Sequence, residues 1–132
     1  MKILVVDDDP QFVEILAYHL NHNQIAFDVA NTVAQVQNYT ARTKYDLILH
    51  DVYFPNKEDG LNSVKSLKTN LHTKDTPIVL ITSLTMQLFQ QEPNLNLYLE
   101  YSDKFISKEE DTSKIVDEIK QIVPDTNQTP TQ

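Results

Sequence analysis

Short apolar runs that end on charged or hydroxyl residues recur along this chain, and they constrain its fold more than any other feature. Ile3-Leu4-Val5-Val6 runs into Asp7-Asp8-Asp9, and Leu47-Ile48-Leu49 leads through His50 to Asp51. Ile78-Val79-Leu80-Ile81 ends on Thr82-Ser83, and Lys104-Phe105-Ile106 runs into Ser107-Lys108. Aliphatic runs this short read as strands buried on both faces, the habit of parallel sheets covered by helices. Between the runs the apolar spacing changes to helix period. Pro10 suits the first turn of a helix capped by Asp9, in which Phe12, Ile15, Leu16, His19 and Leu20 share a face. Residues 25–30 read as the second strand and 31–42 as a weaker helix carrying Val33, Val36 and Tyr39. Leu61, Val64, Leu67 and Leu71 mark a third helix starting after Gly60. Residues 85–91 form a fourth, interrupted near Pro93, and Asp111 caps a last one carrying Ile115, Ile119 and Ile122.

Five strands alternating with helices predict an α/β domain with a doubly wound parallel sheet and right-handed crossovers. Such sheets bind ligands outside the carboxyl ends of their strands. Here those ends carry acids, hydroxyls and an ammonium, which core packing does not explain. With 132 residues, 40% of them hydrophobic, the chain suits one domain with one core region. No apolar stretch approaches the ~20 residues of a membrane span, and the N-terminus lacks a secretory pattern. The absence of cysteine excludes disulfides and thiolate metal sites. A cytoplasmic setting is expected. The net charge of −8 argues against direct nucleic-acid binding and favours a cation or a basic partner. Gly60 is the only glycine, so no glycine-rich phosphate loop exists. A lone glycine is expected where the backbone needs a positive φ.

Clustered carboxylates at the end of a buried strand repel one another unless a cation sits among them. Mg²⁺, which takes hard oxygen ligands, is a suitable cation. Taken alone, the triplet is equally explained by two solvated loop acids beside a capping Asp9. Asp51 at the end of another strand changes the balance. A carboxylate nucleophile can accept a phosphoryl group, and that transfer needs positioning and charge neutralisation more than covalent help. Asp51 would be the nucleophile, Asp7 and Asp8 the cation ligands, Lys108 the cationic group on the phosphoryl oxygens, and Thr82 the hydroxyl donor. Strand alternation sends His50 to the opposite face, as a core or surface residue and not a ligand. His19, His22 and His72 share no metal-ligand spacing.

Four segments, ILVVDDDP (residues 3–10), DLILHDVYFPNKEDG (46–60), PIVLITS (77–83) and DKFISK (103–108), resemble in order the signature segments of the response-regulator receiver domain. The resemblance covers about residues 1–123, leaving 124–132 as a polar tail or linker. It implies a flavodoxin-like, three-layer fold with strand order 2-1-3-4-5, the order the general rule for this fold already records for such proteins. It further implies that Asp51 takes a phosphoryl group from a phosphohistidine on a sensor histidine kinase or phosphotransfer protein. Mg²⁺ would be held by Asp7, Asp8, Asp51 and the backbone carbonyl of Tyr53. Lys108 and Thr82 would contact the phosphoryl group, and Phe105 would be the switch ring. The switching surface would act on a downstream protein, with a homodimer among the possibilities, and the domain would not be an enzyme.

The sequence departs from the family pattern in four places. Glu109 follows Lys108 where the family has proline, which loosens the expected placement of Lys108. The loop from Asp51 to Gly60 is longer, so residues 56–59 are expected to bulge beside the site. The stretch from Thr82 to Lys108 is also longer, so the fourth helix is expected to be short or irregular. Tyr53 and Leu84 are bulky where the family's attacking water passes, which implies slow self-dephosphorylation. Glu109 and the altered fourth-helix region keep open a phosphorylation-independent interaction module. A phosphohydrolase with an aspartate nucleophile would usually carry an acid at the position of Tyr53.

Overall fold

The computed structural model describes residues 1–54, 56–83, 86–93 and 95–123. Five parallel strands, β1 (Lys2–Val6), β2 (Ala26–Ala30), β3 (Leu47–Asp51), β4 (Ile78–Thr82) and β5 (Lys104–Ser107), form one sheet in the order β2-β1-β3-β4-β5. The helices are α1 (Pro10–His22), α2 (Val33–Arg42), α3 (Lys57–Thr69), α4 (Met86–Phe89), α5 (Leu95–Tyr101) and α6 (Thr112–Ile122). The expected doubly wound fold is present. Its fourth helical position is divided into α4 and α5 around Pro93, which lacks an amide hydrogen and disfavours helical backbone before it.

Strand alternation divides the interior into two cores. Ile3, Val5, Leu47, Leu49, Val79 and Ile81 meet Phe12, Leu16 and Leu20 of α1 and Ile115, Val116 and Ile119 of α6. On the other face Leu4, Val6, Ile48 and Leu80 meet Val36 of α2, Val64 and Leu67 of α3 and Tyr98 of α5. Every residue of β3 and β4 is buried, as continuous aliphatic runs require. The apolar stripe of α1 is narrower than its spacing suggests, because Ile15 points outward and is 53% exposed.

The caps explain where the helices begin. Asp9 accepts from the amides of Gln11 and Phe12 at 3.1 and 3.4 Å, and Asp111 accepts from Ser113 at 3.0 Å. Asn56 accepts from the Asp59 amide at 2.9 Å, while its own side-chain amide donates to the Asp59 carboxylate at 3.0 Å. This reciprocal cap starts α3 at Lys57 rather than after Gly60. Residues 56–59 are therefore not a bulge beside the site. Leu71 lies beyond the helix and is exposed.

Gly60 also departs from expectation. Its φ is not positive. Its lack of a side chain matters because α3 lies directly against the turn after β3: a Cβ there would stand 1.9 Å from the carbonyl oxygen of Val52.

Candidate functional site

Register delivers the polar residues to one edge. Val6 lies opposite His50, Asp51 opposite Ile81, and Thr82 opposite Ser107. Asp7, Asp51, Thr82 and Lys108 thus leave neighbouring strands at nearly the same height. One carboxylate oxygen from each of Asp7, Asp8 and Asp51 falls within a mutual 4.8 Å. Asp7 and Asp51 are 1% and 5% exposed, and Asp8 faces solvent. Asp9 takes no part in that cluster; besides capping α1, its amide donates to Asp7 Oδ1 at 2.9 Å. The triplet therefore splits into a site pair and a cap.

Lys108 reaches across from the end of β5. Its Nζ lies 2.8 Å from Asp7 Oδ2 and 3.5 Å from Asp51 Oδ2. The ammonium also sits 4.6 Å from the centre of the Phe12 ring, a cation–π contact that the helix spacing gave no reason to expect. Glu109 in place of proline does not displace it. The Lys108 amide donates to Thr82 O at 2.7 Å, and the Glu109 amide, which proline would lack, donates to Ser107 Oγ at 3.2 Å. Ser107 closes that turn with its hydroxyl and with its carbonyl, which accepts from Glu110. A serine two residues before an amide is a known turn former, and its part here was missed from the sequence.

The electrostatics favour a cation. Burial, and then the charge of Asp7, push Asp51 up to about 7, against the opposing pull of Lys108. Burial likewise raises Asp7, again opposed by Lys108. Two buried carboxylates, Asp7 and Asp51, face the single ammonium of Lys108, so ionising both leaves an excess negative charge in a poorly solvated pocket. Asp7 Oδ2 is buried and, beyond its ion pair with Lys108, has no well-directed hydrogen-bond donor among the described residues. A buried hard oxygen beside two more carboxylates suits Mg²⁺.

Tyr53 is half-buried, and its amide approaches Asp51 Oδ1 at 3.4 Å. Thr82 is fully buried at the strand end. Phe105 is half-buried on β5, packed on the core that contains Tyr98. Tyr98 is itself pushed up to about 12 by burial, with the charges of Glu92 and Tyr53 acting next. Leu84 lies outside the described residues, as does the tail from 124 onward. His50 is fully buried, the core setting of the two that the sequence left open.

A sequence profile described as the response regulator receiver domain matches residues 3–120. The chain is 24% identical over 131 residues to the DNA-binding dual master transcriptional regulator RpaA of Synechocystis, covering 98% of this chain and 52% of RpaA. It is 32% identical over 83 residues to protein RcaC of Microchaete diplosiphon, covering 63% of this chain and 12% of RcaC. It thus spans about half of one curated relative and far less of the other. The BeF3-activated N-terminal receiver domain of Klebsiella pneumoniae RstA superposes with a TM-score of 0.75 at 28% identity, covering 92% of this chain and 97% of that one. No helix among the described residues is long and apolar enough to cross a membrane. A profile match over nearly the whole chain, joined to the sheet order and to acids gathered at its carboxyl edge, places this chain in the receiver-domain family of two-component response regulators.

Proposed function

We propose that Asp51 is a phosphoacceptor and that the domain is a phosphorylation-driven switch of a cytoplasmic two-component pathway, not an enzyme. The observation that carries this reading is the convergence of Asp7, Asp8 and Asp51 with Lys108 at the ends of three strands. Asp7, Asp8, Asp51 and the Tyr53 carbonyl would hold Mg²⁺, which when bound neutralises charge on the carboxylates and the incoming phosphoryl oxygens. An Asp51 carboxylate oxygen attacks phosphorus. The new O–P bond forms as the N–P bond of a histidine-kinase or phosphotransfer phosphohistidine breaks, and its electron pair returns to the imidazole. Lys108, steadied by Phe12, exchanges part of its carboxylate pairing for the phosphoryl oxygens. Thr82 donates its hydroxyl to the bound group. Phe105, on the neighbouring strand, follows by repacking against the Tyr98 side, so that phosphorylation shifts a population between two packings.

The divided fourth helix gives this face its own shape. Leu88, Leu97 and Leu99 are exposed along α4 and α5, and a downstream protein or a second copy would meet them there. The phosphorylation-independent reading draws on Glu109 and on the altered fourth-helix region, and Lys108 reaching both carboxylates weighs against the first of these.

Incubation with a small-molecule phosphodonor and Mg²⁺, followed by intact mass, tests the proposal. The native chain should gain one phosphoryl group, while Asp51→Asn and the native chain in chelator should gain none. An unmodified native chain would favour the interaction module, and catalytic consumption of donor would favour a hydrolase.

A further inference from the structure

Immediately before the phosphoacceptor stands a histidine with both ring nitrogens engaged. His50 is fully buried, flanked in register by Val6 and Leu80, and its ring meets Phe54 edge-on at 5.6 Å. A polar ring among aliphatic side chains is destabilising unless its nitrogens are satisfied. Nδ1 lies 2.7 Å from the main-chain oxygen of Asp51, and Nε2 lies 2.8 Å from Ser63 Oγ of α3. A carbonyl oxygen can only accept, so Nδ1 carries the proton. A ring fully buried among aliphatic side chains, whose two partners are a carbonyl and a hydroxyl, is held in the neutral form. Nε2 is then bare, and the Ser63 hydroxyl donates to it. The bonds run one way, from Ser63 to His50 to the Asp51 carbonyl.

The position of that carbonyl gives the chain of bonds its use. The β1–β3 pairing ends with Val6 opposite His50, and the Asp7 amide turns to Ala30 of β2 at 3.1 Å. The Asp51 carbonyl therefore lies past the end of the ladder on its β1 side. Across the same peptide unit, the Val52 amide donates to Ile81 of β4 at 2.9 Å. The peptide is pinned on both sides, by β4 through its nitrogen and by the imidazole through its oxygen. Its rotation sets the direction of the Asp51 carboxylate and, two residues on, of the Tyr53 carbonyl.

We propose that His50, oriented by Ser63, is a positioning residue that fixes the Asp51–Val52 peptide and thereby sets the affinity of the site for Mg²⁺ and its rate of phosphoryl uptake. Only the second consequence rests on Asp51 being the phosphoacceptor. The alternative is a buried ring that merely stabilises the core, and two readouts separate them. In the native chain, ¹⁵N NMR should show His50 protonated at Nδ1 and bare at Nε2, with the Nδ1 proton signal moving when Mg²⁺ is added. By calorimetry, His50→Leu should bind Mg²⁺ about tenfold more weakly, as loss of an outer-shell partner does. His50→Asn keeps a donor on the same γ carbon and should recover most of that loss. An Nε2-protonated ring, a proton signal indifferent to Mg²⁺, or equal Mg²⁺ binding by the Leu and Asn variants would overturn the proposal. The NMR arm uses the native chain, so it decides even if His50→Leu does not fold. Neither arm uses a phosphodonor, so a chain that took no phosphoryl group would still answer.

Discussion

Gly60→Ala should destabilise the domain by about 1–2 kcal/mol net, although the substitution normally strengthens a helix. Glycine within a helix is about 1 kcal/mol worse than alanine, so on propensity alone the variant would be more stable. The added Cβ, however, would meet the Val52 carbonyl oxygen at 1.9 Å and its carbon at 2.9 Å, and both belong to main chain that cannot swing aside. Either α3 retreats or the turn after β3 gives way, and overpacking of this kind costs about 1–3 kcal/mol or more. The same turn carries Asp51 and Tyr53, so Mg²⁺ affinity should fall together with stability. Urea denaturation measures the effect through a lower midpoint at unchanged slope. A variant as stable as the native chain would mean that α3 does not press on this turn.

Removing the charge of Asp51 should have the opposite sign. Without Mg²⁺ at about pH 8, Asp51→Asn should be more stable than the native chain, by on the order of 2 kcal/mol. Asp51 is raised from 3.8 to about 7 by burial and by Asp7. A carboxyl whose folded pKa lies above its unfolded value contributes stability that is fully present below the unfolded value. That contribution is lost as pH rises through the folded one. The advantage of the variant should therefore be small near about pH 4, grow up to about pH 7, and then level off. Lys108 keeps its shorter pairing with Asp7 in the variant. Saturating Mg²⁺ should reverse the order, because a ligand that binds only the folded state stabilises it by mass action. Denaturation of both proteins in chelator and in Mg²⁺ across this range measures the effect. A variant less stable than the native chain in chelator at about pH 8 would contradict the electrostatics described.

Much of the sheet was legible because buried parallel strands leave a local signal. Runs such as Ile78-Val79-Leu80-Ile81 need no distant partner to be read, and Asp9 and Asp111 announce helix starts. The carboxylate cluster was legible for a related reason, since parallel strands must send their carboxyl ends the same way. What stayed hidden depends on contacts across the chain. Gly60 reads as a turn residue until α3 is placed against Val52. The pairing of His50 with Ser63 joins residues on different elements, and alternation could give only the face on which His50 lies. The burial of Tyr98 in a second helical segment is masked by alternating Leu and Asn residues that mimic strand period. The start of α3 was a missed local signal, because Asn56 with Asp59 three residues later is a capping pattern.

A phosphoryl group should be carried on Asp51 and on no other acid of the cluster. Treatment of the phosphodonor-reacted chain with borohydride reduces an aspartyl phosphate to homoserine, and peptide mass spectrometry then locates the change. Homoserine is expected at position 51 in the presence of Mg²⁺, with Asp7 and Asp8 intact and no conversion in chelator. Conversion at position 7 or 8, or a phosphorylated chain with Asp51 unchanged, would contradict this expectation.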